Sequence, residues 1–181
     1  MSHALRHEPW TYDLELDDAG WVTVDDLLAA LHDLGPDWTA VRREDLEQMI
    51  ATSAKQRFEL AGDRIRARYG HSVPGRITHT DAAPPAVLFH GTAPEALPEI
   101  LADGLLPMRR QTVHLSADVA TALAVGRRKS RTPVLLRVMA GRAHRHGIRF
   151  WRGNDLVWLA DPIPARFLHV QGPDGGDPPA E

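Results

Sequence analysis

Cysteine is missing from this 181-residue chain, and disulfide bridges, thiolate metal sites and a thiol nucleophile are excluded with it. Histidine and carboxylate remain as the strong metal ligands. Aromatic residues make up only 6% of the chain, so Trp10, Trp21, Trp38, Trp151 and Trp158 are expected mostly in core or linker packing, with base stacking as their other use. No apolar run approaches the roughly 18 residues of a membrane-spanning helix, and the N-terminus shows no basic segment followed by an apolar one. The expected setting is cytoplasmic, away from any membrane. Glutamate also stops early, with none between Asp103 and the C-terminal Glu181.

The net charge of -3 conceals a polarity along the chain. Residues 1–50 carry 12 Asp or Glu against 3 Lys or Arg, whereas residues 51–170 carry 9 against 18. A duplex-coating protein would show one broad basic face. Here the positive charge suits a smaller anionic ligand or a short nucleic-acid segment, with an acidic solvated face beside a basic one as the plainer alternative.

A chain of this length, 43% hydrophobic, builds one ordinary domain or two small lobes. Residues 2–7 read as the end of a helix, and Gly20-Trp21-Val22 as a short extended piece before a Thr-x-x-Asp cap formed by Thr23 and Asp26. Leu27, Leu28, Leu31 and Leu34 then recur at helical spacing up to Gly35-Pro36, and a second helix fits residues 43–52. Two alternating segments, 57–60 and 64–68, flank Ala61-Gly62-Asp63 as a hairpin. Helices followed by a two-stranded ribbon make residues 1–72 a winged-helix-like lobe for RNA or phosphate. Pro, Gly, Thr and Ala dominate 73–86, a linker. Over 87–170, strands at Val87-Leu88-Phe89, 134–138, 156–159 and 167–170 alternate with helices at 94–101 and 117–125. The fold class is therefore α+β with a central β-sheet in the second lobe, followed by a disordered tail at 171–181.

Four short motifs place histidine across the chain: Leu5-Arg6-His7, Gly70-His71-Ser72, His90-Gly91-Thr92 and Val113-His114-Leu115-Ser116. Arginine accompanies them, notably Arg57 in Lys55-Gln56-Arg57-Phe58 and Arg110 in Met108-Arg109-Arg110. A guanidinium fork matches two phosphate oxygens and an imidazole exchanges a proton near neutral pH, so the pairing points to phosphate chemistry. Taken singly, each motif is equally a surface arginine, a capping histidine or a turn glycine. His90-Gly91-Thr92 follows a buried strand, where a side chain reaches a cleft and glycine admits a close ligand. His144 and His146, in the basic segment 142–152, read better as part of a phosphate- or solvent-facing loop than as zinc ligands, and no metal is expected.

In order, spacing and local sequence these motifs resemble the RNA 2'-phosphotransferase family, KptA type, also called tRNA 2'-phosphotransferases. The resemblance runs over residues 2–170 and rests on Leu5 to Pro9, Gly20 to Val22, Lys55 to Phe58, Gly70 to Ser72, His90 to Thr92, and Gly104 through Met108 and Arg110 to Val113-His114-Leu115. It departs from the family pattern at Thr112, where histidine is usual, at Tyr69 in place of glutamine, and at Asp155 in place of asparagine.

The resemblance implies an N-terminal winged-helix lobe and a C-terminal ADP-ribosyltransferase-like, NAD-binding lobe. It implies an enzyme, a transferase of tRNA splicing or RNA repair, that consumes NAD+ as co-substrate and acts on RNA bearing an internal 2'-phosphate. The products are 2'-OH RNA, nicotinamide and ADP-ribose 1'',2''-cyclic phosphate, reached through an ADP-ribosylated RNA intermediate. The family's catalytic set falls on Arg6, His7, Arg57 and Arg110. NAD+ contacts fall on His90, Gly91 and Thr92, with His71, Ser72, His114, Ser116 and Arg128 as further cofactor-binding positions. Protein-modifying ADP-ribosyltransferases often carry a late glutamate to help a neutral nucleophile. A phosphate is already anionic and needs no such base, which fits a chain without one. A monomer is expected. Two alternatives stay open: an ADP-ribosyltransferase capping terminal phosphates of nucleic acid, and a noncatalytic winged-helix nucleic-acid binder.

Overall fold

The computed structural model describes residues 1–171 of the chain. It divides into two compact units, Met1–His79 with Arg109–Gln111, and Thr80–Met108 with the remainder from Thr112. Helices and two antiparallel sheets give an α+β fold. Residues 73–86 are shared between the units, and Val73 and Ile77 are buried.

In the first unit, helix α1 (Ser2–Arg6) is followed by a 3₁₀ turn at Pro9–Tyr12, strand β1 (Trp21–Thr23), α2 (Val24–His32), α3 (Arg43–Thr52) and the hairpin β2 (Phe58–Ala61) and β3 (Arg64–Ala67). The sheet order is β1-β3-β2, with Val22 opposite Ile65 and Leu60 opposite Ile65 on the other side. Thr23 starts α2 as expected: its hydroxyl accepts from the Asp26 N–H at 3.0 Å and donates to the Asp26 carboxylate at 2.7 Å. Leu27 and Leu31 of α2 are buried with Leu5, Leu46 and Ile65 in one core. Each such side chain contributes about 1.5–3 kcal/mol through burial. Leu34, read as part of that stripe, lies beyond the helix end and is exposed. The reason is Gly35, which at φ 129° turns the chain out of helical geometry.

In the second unit, six strands pair in the order β7-β8-β5-β4-β6-β9. They are β4 (Leu88–Thr92), β5 (Val113–Ser116), β6 (Val134–Val138), β7 (Phe150–Arg152), β8 (Val157–Ala160) and β9 (Leu168–Gln171), with helices α4 (Leu97–Asp103), α5 (Val119–Gly126) and α6 (Ala140–Arg145). Leu88, Leu115, Leu136, Phe150 and Phe167 form its core. The segment 142–152 differs from the expected loop. It holds the end of α6 and all of β7, each too short to show a period, and the rings of His144 and His146 lie against Phe150 and Phe167. Gln171 closes β9 against Leu135, so the chain is still in the sheet where a disordered tail was expected to begin. The rest of that tail lies outside the described residues. Among the described residues, no helix is long and apolar enough to cross a membrane, and no three His, Cys, Asp or Glu side chains cluster as metal ligands.

Gly91 fixes how α5 lies on β4. A Cβ there would overlap the Ala122 carbonyl oxygen of the helix, and Gly126 approaches the same glycine from the helix end. Gly91→Ala is expected to destabilise the second unit by about 1–3 kcal/mol through overpacking against backbone that has nowhere to move, measured by urea unfolding.

Candidate active site

The first unit brings together the four residues expected to act on phosphate. Helix α1 ends at Arg6, and His7 leaves it with φ -124° and ψ -58°, so the two neighbouring side chains diverge. Arg6 reaches Gly70, whose carbonyl accepts from its guanidinium at 3.3 Å, and also donates to the Ser2 hydroxyl at 3.2 Å. His7 pairs through Nδ1 with the Ser72 hydroxyl at 2.8 Å. That hydroxyl donates to a bare Nδ1 and accepts from a protonated one. The Ser72 N–H donates to the Arg6 carbonyl at 2.9 Å, tying the start of the chain to the segment after the hairpin.

Arg57 precedes β2, and its carbonyl accepts from the Arg68 N–H at 2.8 Å, which extends the hairpin pairing by a step. Arg110 arrives from far along the chain, in the three-residue segment Arg109–Gln111 that groups with the first unit. Gln111 anchors that segment. Its amide donates to the carbonyls of Val73 (3.0 Å) and Gly75 (2.7 Å), its side-chain oxygen accepts from the Ile77 N–H (2.9 Å), and its own N–H donates to the His71 carbonyl (3.3 Å).

Like charges gather around Arg6. Burial lowers the Arg6 pKa from its ordinary value, and the nearby Arg57 and Arg110 guanidiniums lower it further, with the Tyr69 phenol acting the other way. The buried Arg6 Nε has no hydrogen-bond partner among the described residues. His7 is shifted below 6.5 by burial first, then by Arg6, His3 and Arg110, with Glu8 opposing. Like charges held close together repel one another, and a multivalent anion among them relieves that repulsion.

His71 and Ser72, expected among the NAD+ contacts, both lie in this first unit. His71 is 2% exposed, its Nε2 has no hydrogen-bond partner among the described residues and faces Gly20, and burial followed by His79, Arg6, Arg66 and His7 holds its pKa down at about 4. It is neutral at physiological pH. Its stability contribution has the sign of a depressed group: present above pH 6.5, lost as pH falls toward 4.

The other expected NAD+ contacts belong to the second unit. His90, Gly91 and Thr92 do not follow a strand; they are the last three residues of β4. The absence of a side chain at Gly91 is used by α5, as described above, rather than left for a ligand. His90 Nδ1 donates to the His114 carbonyl at 2.9 Å, and His114 Nδ1 donates to the Thr112 carbonyl at 3.0 Å. Carbonyls only accept, so both Nδ1 atoms carry hydrogen and both Nε2 atoms are acceptors in the neutral rings. Between β4 and β5 the registered pair is Phe89 with Ser116, and beyond it the His90 side chain bridges to the β5 backbone. Thr92 and Ser116 are buried, 5% and 6% exposed. Arg128 sits in the turn after α5 with Arg127 and Lys129, where three cations also complement the negative end of the helix dipole. Of the three departures from the family pattern, Thr112 and Tyr69 are buried, while Asp155 pairs with Arg152 at 2.7 Å on the surface.

Residues 1–162 match the profile of the RNA 2'-phosphotransferase, Tpt1 / KptA family. The chain belongs to this family. It is similar to the probable RNA 2'-phosphotransferase of Acetivibrio thermocellus, 50% identical over 171 residues, covering 94% of this chain and 93% of the relative. The probable RNA 2'-phosphotransferase of Bacillus thuringiensis subsp. konkukian is 49% identical over 170 residues, covering 94% and 91%. A member of this phosphotransferase family is an enzyme, a transferase that takes RNA carrying a 2'-phosphate.

Several neighbours of the site escaped the motif reading. Ser2 and His3 stand four residues before Arg6 and His7, one helical turn away, a spacing that would have flagged them. His3 lies 6.1 Å ring to ring from His7 and accepts or donates at 3.2 Å with the Tyr12 hydroxyl. His79 and Arg66 carry no such local signal, because their nearness to His71 comes from tertiary folding.

Two outcomes test this geometry. Gly70 has φ +87° and a Cβ there would overlap the Arg6 guanidinium. Gly70→Ala is therefore expected to lower phosphotransferase turnover at least about tenfold by displacing one charge-assisted contact, with a folded circular-dichroism spectrum retained. Titrating urea stability from pH 6.5 to 4 is expected to show a loss of order 3 kcal/mol assignable to His71, and His71→Asn should flatten that part of the profile.

Proposed function

We propose that this chain removes an internal RNA 2'-phosphate by transferring it to ADP-ribose derived from NAD+. The observation that carries the proposal is the gathering of Arg6, His7, Arg57 and Arg110 in the first unit, with no covalent nucleophile required of the protein. Family membership supports the 2'-phosphate as the group they hold.

The proposed chemistry has two displacements. In the first, an oxygen of the RNA 2'-phosphate attacks C1'' of the nicotinamide ribose, the C1''–N bond breaks, and its electron pair leaves with neutral nicotinamide. The phosphate is the nucleophile and is anionic already, consistent with the lack of glutamate from Asp103 to Glu181. In the second, the ribose 2''-hydroxyl oxygen attacks phosphorus, the bond from phosphorus to the RNA 2'-oxygen breaks, and the proton lost from the hydroxyl is matched by one gained on the RNA oxygen. ADP-ribose 1'',2''-cyclic phosphate and 2'-OH RNA result.

Charge builds on the nonbridging phosphate oxygens in the second displacement, and Arg6, Arg57 and Arg110 are assigned to stabilise it. One well-placed donor supplies on the order of 3 kcal/mol to such a transition state. Guanidinium groups carry the charge here, so the proposal needs no metal. His7 is assigned to protonate the departing RNA oxygen. Its depressed pKa makes it a willing donor, and a bound phosphate raises the fraction that is protonated. NAD+ is assigned to His90, the main chain of Gly91, Thr92, His114, Ser116 and Arg128, with the placing of these residues on β4, on β5 and in the turn after α5 and the orientation of both imidazoles by carbonyls as support. The order of helices, hairpin and three-stranded sheet supports a winged-helix reading of the first unit, and the six-stranded antiparallel sheet supports an ADP-ribosyltransferase-like reading of the second.

Incubation with a 2'-phosphorylated oligonucleotide and NAD+ tests this directly. Release of nicotinamide together with 2'-OH RNA is expected, and persistence of the 2'-phosphate rejects the reading. A stable ADP-ribosylated terminal phosphate would instead select the capping alternative. Arg57→Ala or Arg110→Ala is expected to slow the second displacement about a hundredfold or more, so that ADP-ribosylated RNA accumulates on a denaturing gel.

A further inference from the structure

We propose that a concavity next to Arg6 and His7 is a stacking subsite for the nucleobase adjacent to the phosphate-bearing nucleotide in single-stranded RNA. This rests on the phosphotransferase reading above.

The concavity has a volume of about 320 Å³ and is lined by Pro9 and Trp10, by Leu16, Asp17 and Asp18, and by the segment from Val73 to Ile77. The first and last of these segments are direct continuations of the phosphate site. Trp10 comes three residues after His7, and Val73 immediately follows Ser72. The His7 to Ser72 hydrogen bond (2.8 Å) and the Ser72 N–H to Arg6 carbonyl bond (2.9 Å) clamp the two segments where they leave that site. A nucleotide held by its 2'-phosphate at Arg6 and His7 therefore has a neighbour within reach of the concavity.

Trp10 is 55% exposed, the most open of the large aromatic side chains. It sits on the Pro9–Tyr12 turn, closed by the Asp13 N–H donating to the Trp10 carbonyl at 3.3 Å, with Asp13 in left-handed geometry. An indole on a closed turn has two torsions to immobilise and offers a flat face to any base. Arg76 also lines the concavity and can stack or meet the RNA backbone.

The remaining lining decides between a base and a phosphate. Asp17 is engaged by Arg64 and by the Ala19 and Trp21 N–H groups, but the Asp18 carboxylate has no partner among the described residues. The Asp18 carboxylate in the wall disfavours a phosphodiester beside it and accepts a hydrogen bond from the exocyclic amine of a base. At this size the space suits one heterocycle, at the lower end of ligand clefts of about 300–1,000 Å³. The adenine or nicotinamide ring of NAD+ has similar chemistry. RNA is favoured because two of the lining segments extend from the residues assigned to the RNA phosphate.

The test compares full-length Trp10→Ala and Trp10→Phe with the unsubstituted protein on a 2'-phosphorylated oligonucleotide, and on the same oligonucleotide made abasic on the 5' or the 3' side of the phosphorylated nucleotide. Trp10→Ala is expected to raise the KM for the intact oligonucleotide about tenfold, with kcat and the KM for NAD+ changed by less than about twofold, and Trp10→Phe to retain most of the affinity. One of the abasic substrates should reproduce the rise with unsubstituted protein and show no further rise with Trp10→Ala. An equal rise on all substrates, no rise on any, or a rise confined to NAD+ overturns the proposal. If unsubstituted protein leaves the 2'-phosphate in place, the function reading fails separately. The subsite is then read from fluorescence anisotropy of unphosphorylated single-stranded RNA, where Trp10→Ala weakens binding about tenfold or the subsite is absent.

Discussion

Repulsion between like charges is the constraint around which the first unit is organised. Burial first, and then the Arg57 and Arg110 charges, lower the Arg6 pKa, so three guanidiniums that repel one another are kept close by the backbone that carries them. The holding is done by neutral groups: the Gly70 carbonyl and Ser2 hydroxyl on Arg6, the Ser72 hydroxyl on His7, and the Gln111 amide on the Val73 and Gly75 carbonyls. Carboxylates at those points would hold the arginines better and ruin them as anion ligands. The neutral acceptors on Arg6 place no negative charge against its guanidinium, in keeping with the electrostatic preorganisation that favours phosphoryl transfer.

Elsewhere, charge is neutralised locally. Glu59 takes Arg66 and Arg68, Asp17 takes Arg64, and Arg66 also lies over the Trp21 ring at 4.4 Å. The hairpin that presents Arg57 is thus stiffened by paired arginines. In the second unit the stiffening is steric. Gly91 lets α5 lie against β4, and the histidines of β4 and β5 are oriented by carbonyls that fix their tautomers.

Much of this was legible in the sequence where local rules govern. Helix α3 and strand β6 fall at the expected bounds, and the Thr23 cap and the hairpin turn around Gly62 are local chemistry that tertiary contacts do not override. The short elements were not legible. Helix α6 shows only Ala140 and Ala143 as its buried face, and β7 has three residues, so neither displays a period. For the site, ordered motifs drew attention to Arg6, His7, Arg57, Arg110, His71 and Ser72. They could not show that Ser72 pairs with His7, or that His71 and Ser72 sit with the arginines, because residues separated by 64 or 65 positions meet through tertiary folding alone. Gly91 was read as room for a ligand, when the missing side chain is filled by a helix that sequence spacing does not reveal.

The three-residue segment Arg109–Gln111 has a further consequence for biosynthesis. A nascent chain that has delivered Met1–His79 contains the whole hydrophobic interior of the first unit, yet lacks Arg110 and the amide that braces Val73, Gly75 and Ile77. Domains fold as units during synthesis, N-terminal first. The cationic cluster is thus finished last, after Leu88–Thr92 and Leu97–Asp103 have been translated, and a truncated chain can have a sound interior with an incomplete anion-binding centre.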